Sequence, residues 1–157
     1  MASPTINIMR DFIVPMGEKL RQDERFAEIT NIVYDVIDDI AFSEMPCIDY
    51  YVEGPMEDIA RGSGSYSLQT RRLTLKATFL IWVYDAHSRQ RMDEALFHVG
   101  GLLMDFLREH TDFDPRTGIG LTKTPFMWQV VRPPAEAGYV GMHSITAEFE
   151  LLSGTGK

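Results

Sequence analysis

The chain has 157 residues, 45% hydrophobic and 24% charged, a length and balance that suit one globular domain and exclude wholesale disorder or a fibrous class. Its formal charge of −8, from 23 acidic and 15 basic residues, argues against wrapping nucleic acid, which needs a dense Lys/Arg surface. Cys47 is the one cysteine, the first residues lack the basic-then-apolar pattern of a signal peptide, and no apolar run approaches the ~20 residues of a membrane-spanning helix, so residence in a reducing cytoplasm is expected.

Taken in chain order, Ser3 and Pro4 form a helix start, and Ile6, Ile8, Met9, Phe12, Ile13, Met16 and Leu20 follow with repeated i+3 and i+4 spacings, predicting a helix over 4–21. Pro15 lacks a backbone donor and predicts a kink or break there. The segment 26–40 reads two ways: Ile29, Ile32, Val33, Val36, Ile37 and Ile40 have helical spacing, while their β-branched side chains favour a strand. Spacing weighs more, and it puts Asp35, Asp38, Asp39 and Glu44 on a solvated face opposite the isoleucines. After Pro46, Cys47 to Val52 reads as a short extended run that ends at the turn signal Gly54-Pro55.

Around Gly62-Ser63-Gly64-Ser65 the composition predicts a flexible hairpin loop over about 57–68. Beyond it Leu73, Leu75, Ala77, Phe79, Ile81 and Val83 alternate with Arg72, Thr74, Lys76 and Thr78, marking a strand at the centre of the sheet. Its second half carries Leu80, Trp82 and Tyr84 on the opposite face, so a helix or a neighbouring subunit must cover both faces there. Ser88 can cap a helix that runs to about His110 with Met92, Ala95, Leu96, Val99, Leu102, Leu103 and Phe106 on one stripe. A polar loop over 111–124, a strand Phe126 to Val131, a connection from Pro133 to Gly138, and a last strand around Ile145 to Leu151 with one wet face complete the chain, ahead of a frayed tail at 153–157. The expected fold is therefore α+β: one domain over 1–157, with a mostly antiparallel or mixed sheet of about four strands and helices packed on one face.

The residues carry no constellation that announces chemistry. His87, His98, His110 and His143 stand in no HxH, HExxH or paired-cysteine arrangement. Cys47 lies between Pro46 and Ile48, an apolar strand setting that suits a buried small side chain better than a nucleophile. The stretch from Asp112 through Asp114 to Gly118 opens like a calcium loop but lacks the required glycine position and the closing glutamate. Gly62-Ser63-Gly64 and Gly118-Ile119-Gly120 lack the lysine and the strand-to-helix setting of a phosphate cradle. The expectation is a protein that is no enzyme and takes no cofactor or metal. What stands out is apolar excess: nine Met, nine Phe, and the doubly apolar strand, an enrichment that subunit interfaces share with cores. Arg61, Tyr66, Arg71, Arg72, Leu80, Trp82 and Tyr84 are the candidate interface residues.

The order of elements carries a resemblance. A leading helix, the extended Pro46-Cys-Ile-Asp-Tyr-Tyr-Val-Glu-Gly54 segment, a glycine-rich hairpin loop, the Arg72-Leu-Thr-Leu-Lys-Ala-Thr78 strand, a helix opening near Asp93-Glu-Ala-Leu96 and a closing pair of strands resemble the tail terminator, or tail completion, family of long-tailed bacteriophages over most of the chain. One departure is the helical spacing of 26–40, where that family places a strand. The resemblance implies a virion protein of the tail or neck, assembled in the host cytoplasm as a homo-oligomeric ring, a hexamer by that analogy. The ring caps the tail tube, ends its growth and joins tail to head. Implied partners are further copies of the chain, the tail tube protein, a head-tail connector or neck protein, and a sheath protein where the tail contracts; DNA passes only as cargo. Two other readings stand beside it: another connector or tube component, and a small α+β enzyme or binding protein using Cys47, His87 or His143.

Overall fold

The computed structural model describes residues 7–35, 40–60, 70–110, 112–114, 119–121, 126–131 and 138–153. The first described element is a π-helical turn, Met9–Ile13, that runs directly into helix α1, Val14–Gln22. Pro15 explains the join. It has no N–H to give to the carbonyl four residues back, and the amide of Val14 instead reaches the Met9 carbonyl, one residue further than in an α-helix. The expected break at the proline is thus a widened turn upstream of it. Phe12, Ile13, Met16 and Leu20 are buried.

After α1 the Asp23 side chain accepts the N–H of Arg25 and caps a 3-10 turn, Glu24–Phe26. Strand β1, Asn31–Tyr34, follows, so the helix read over 26–40 is corrected to a strand across its central part, with 36–39 outside the described residues. The branched side chains decided it, because β1 pairs in parallel with strand β2, Cys47–Ala60, and only a pleated backbone lets Ile32 and Tyr34 reach the core together. Asp35 ends the strand at φ 52° rather than lying on a helical face.

The turn expected at Gly54-Pro55 is also corrected. β2 passes through it as a bulge, with the register to strand β3, Thr70–Asp85, shifting between Glu53 and Met56, and Gly54 taking φ 107°. A bulge is where a sheet tolerates a proline without a donor. The hairpin strands consequently extend to Ala60 and Thr70, which pair with each other, so the predicted loop loses residues 57–60 to β2; 61–69 lie outside the described residues.

Helix α2, Arg89–Glu109, is capped by Ser88, whose hydroxyl accepts the N–H of Arg91, as expected. Beyond it the polar loop read over 111–124 contains two short strands, β4, Asp112–Asp114, and β5, Ile119–Leu121. Their pairing is supplied by the sheet and not by local composition. Strand β6, Phe126–Val131, and the long closing strand β7, Tyr139–Ser153, complete one mixed sheet. The order is β1-β2-β3-β7-β5-β4, and β6 pairs with β7 beside β5. The α+β class and the four strands expected at β2, β3, β6 and β7 are present, and three short strands extend the sheet.

β3 is central and pairs antiparallel with β2 on one side and β7 on the other. Its odd residues Leu75, Ala77, Phe79, Ile81 and Val83, with Ile48 and Tyr50 of β2 and Ile145, Ala147 and Phe149 of β7, meet α1 and α2 in a single core. Phe12 packs edge-on against Phe149 with ring centres 4.7 Å apart, and Phe26 against Phe106 at 5.6 Å. Each fully buried side chain of this size adds roughly 1.5–3 kcal/mol over leaving it exposed. Both helices therefore lie on one face of the sheet.

Candidate assembly interface

The face of the sheet away from the core is built in rows that the register fixes. Cys47, Trp82 and Met142 form one row; Asp49, Leu80 and Ser144 the next; then Tyr51, Thr78 and Thr146; then Glu53, Lys76 and Glu148. The alternation of the strands puts these side chains opposite the core residues. The row residues nearest the start of β2 are the most covered: Cys47, Asp49, Thr78, Leu80, Ser144 and Thr146 are buried, while Trp82 and Tyr84 are half-buried. The last strand accordingly has a polar second face that is dry at Ser144 and Thr146 and wetter at Glu148 and Glu150, in place of the uniformly wet face expected.

Of the candidate interface residues, Leu80 is 8% exposed and belongs to the interior of this chain. Trp82 and Tyr84 keep partial exposure, and the Trp82 indole N–H is buried without a hydrogen-bond acceptor among the described residues. The ring of Tyr84 lies against Gly138, which takes φ 129° and where a Cβ would stand 2.7 Å from the ring. Arg71 and Arg72 sit at the far end of β3, their backbones paired with Ile59 and Asp58 of β2 and with Ser153 and Leu152 of β7. Arg61 and Tyr66 lie outside the described residues. The register thus separates the arginine pair from Trp82 by about ten residues of one strand, roughly 33 Å.

A second surface has no counterpart in the sequence reading. The outer side of α2 bears an open groove of about 840 Å³ lined by Arg89, Gln90, Asp93, Glu94, Phe97 and His98. Phe97 is 58% exposed, the most exposed large apolar side chain described, and its ring meets that of buried His143 edge-on at 4.9 Å. The signal was present as a phenylalanine that falls off the apolar stripe of α2.

The titratable groups are dispersed. Cys47 and His143 stand on opposite faces of the sheet, and His87 is exposed in the turn before α2. Burial, with smaller contributions from Asp49 and Glu44, pushes the Cys47 thiol up to about 11, which holds it protonated and unreactive near neutrality. The backbone N–H groups of His87 and Ser88 hold the Asp85 carboxylate below its usual range, a turn-stabilising role. Burial lowers His110, whose ring packs on Phe106. Among the described residues no group of three or more His, Cys, Asp or Glu side chains is placed to hold a metal ion, and no helix is long and apolar enough to cross a membrane.

The fold and its surfaces define a class: a small α+β domain built on one long hairpin, with a helix-covered face, an apolar-to-polar second face and an exposed phenylalanine on α2. No protein-family model matches the chain, and no curated protein matches it.

Proposed function

We propose that this protein is a structural subunit of the tail-terminator type, which closes into a ring on the tail tube of a long-tailed phage, ends tube growth and joins tail to head or neck. The observation that carries the reading is the order of elements: a leading helix, a short strand, a long bulged hairpin, a second helix and a closing antiparallel strand. β1 supports it, since a strand after the first helix is the feature that the sequence alone had left as a departure. Subunits of a closed ring contact one another through two different patches. Half-buried Trp82 and Tyr84 at one end of β3 would supply one such patch, and Arg71 and Arg72 hold positions at the opposite end of the same strand. The function is then assembly, with copies of the chain, the tube protein and a connector as partners.

The test is the solution mass of the purified protein by light scattering, followed by electron microscopy with tail tubes. A ring, in solution or seated on tube ends, is the expected result. A protein that stays monomeric and never decorates tubes overturns the reading.

A further inference from the structure

We infer that Arg21 is an edge guard: it occupies an outward backbone carbonyl of β1 and keeps this strand from pairing with β1 of a second copy of the chain. β1 ends the strand order and, among the described residues, pairs only with β2. Asp35 gives its N–H to the Tyr50 carbonyl, which sets the parity of the strand. The backbone groups of Val33 therefore point to β2, and those of Ile32 and Tyr34 point away from the sheet. An open edge of this kind is a template for a strand from another molecule.

The edge is complementary to itself. A twofold axis at Val33 would set Ile32 of each copy opposite Tyr34 of the other, and the outward N–H and C=O groups of both residues would then be exchanged in full. That pairing requires the Ile32 carbonyl. Arg21, in the last turn of α1, already donates to it twice, from Nε at 3.2 Å and from Nη2 at 3.1 Å. A second copy must displace the guanidinium before the strands can join, and the joined edges would bring two like charges to one seam.

Gly17 and Tyr50 are arranged to hold Arg21 in place. Gly17 lies one turn earlier on α1, in a helix interior, where glycine is among the least favourable residues. A Cβ there would collide with the Tyr50 hydroxyl and stand 3.0 Å from Arg21 Nη1. The missing side chain thus lets buried Tyr50 bring its hydroxyl beside the guanidinium. Burial raises the pKa of that hydroxyl, and Arg21, through its charge and a hydrogen bond, acts against the rise. An exposed arginine ordinarily keeps its rotamer freedom. This one is held from two sides, by a hydroxyl of β2 and by a carbonyl of β1. The guard uses neither the hairpin nor Trp82, so it stands apart from ring closure.

The test combines amide hydrogen exchange by NMR with sedimentation equilibrium on the full chain. In the unsubstituted protein the amides of Ile32 and Tyr34 should exchange on the order of tenfold faster than those of Val33 and Asp35, which face β2. Arg21→Leu and Arg21→Ser remove the guanidinium from an exposed position. Each should about double the mass found for the unsubstituted chain at the same concentration and slow exchange at Ile32 and Tyr34 by on the order of tenfold. Arg21→Lys, which keeps a charged donor, should leave both readouts unchanged, and Gly17→Ala should act in the direction of Arg21→Leu. Circular dichroism checks that each variant is folded. Slow Ile32 and Tyr34 amides in the unsubstituted protein, an unchanged mass in the folded Arg21 variants, or association that leaves these two amides fast overturns the inference.

Discussion

The two faces of β3 are made by one strand yet obey different rules. On the helix side every odd residue from Leu75 to Val83 is apolar and at most 4% exposed. On the other side burial is shared between Leu80, Thr78 and Asp49 and the polar Ser144 and Thr146 of β7, and exposure rises toward Trp82 and Tyr84 at one end and Lys76 at the other. The first face is held by packing, which tolerates no polar atom without a partner; the second mixes apolar area with polar groups, as surfaces that meet other proteins do. A substitution should therefore have a consequence set by the face it lands on.

The largest effect belongs to the helix side. Phe79→Asp places a carboxylate among Tyr50, Ile145 and the helices, removing a buried aromatic worth about 3–5 kcal/mol and leaving a charge with no route to water. The expected outcome is loss of the cooperative thermal transition by circular dichroism; a folded, soluble variant would contradict the placement of the core. Next is Gly141→Val in β7. A Cβ there would stand 2.5 Å from Leu96 Cδ1 and 3.1 Å from the Met92 thioether, so α2 must lift from the sheet. The overpacking should cost about 1–3 kcal/mol, read as a drop of roughly 2–4 °C in Tm for each kcal/mol.

The same asymmetry explains what the sequence reveals. Alternation at Leu75 to Val83 and the stripe from Met92 to Phe106 are legible because one face of each meets a continuous apolar layer, and periodicity reports such layers directly. The bulge at Gly54-Pro55 and strands β4 and β5 are not, because their hydrogen-bond partners are supplied by distant strands, and a local turn signal is indistinguishable from a bulge until β3 is placed beside it. β1 fell between: isoleucines at helical spacing also alternate well enough for Ile32 and Tyr34 to face inward over four residues. Trp82 and Tyr84 were legible as an excess on the second face, but the burial of Leu80 was not, since it depends on what the rest of the chain lays over that row.

Two further tests divide the faces by chemistry. Cys47 lies on the second face, and its thiol is raised from 9.0 to about 11 by burial and then by Asp49 and Glu44. Because the folded value is the higher one, its contribution is complete below pH 9 and is lost as the pH rises toward 11, where the unfolded thiol ionises first. Stability by urea denaturation should fall across that window with a slope of at most about 1.4 kcal/mol per pH unit from this group, and Cys47→Ala should remove that component while leaving the slope from other groups. On the helix side, Ser88→Ala removes the acceptor for the Arg91 N–H at 3.2 Å and should lower stability by about 1 kcal/mol, seen as a shift in urea midpoint at constant slope.

The smallest expected effect sharpens the comparison most, because it is invisible to packing. Lys76 stands in register between Glu53 of β2 and Glu148 of β7, on the second face and half-buried. Residues directly opposite on neighbouring strands interact by about 0.2–1 kcal/mol, favourably for opposite charges and unfavourably for like ones. Lys76→Glu changes no apolar contact of the core, yet aligns three carboxylates across adjacent strands. Stability should fall by roughly 1 kcal/mol at low salt and recover substantially at high salt, where exposed charges are screened over a few ångströms. A Lys76→Glu variant whose loss is the same at both ionic strengths would mean that the stem of Lys76 packs on the second face and that this face, like the first, is held by area.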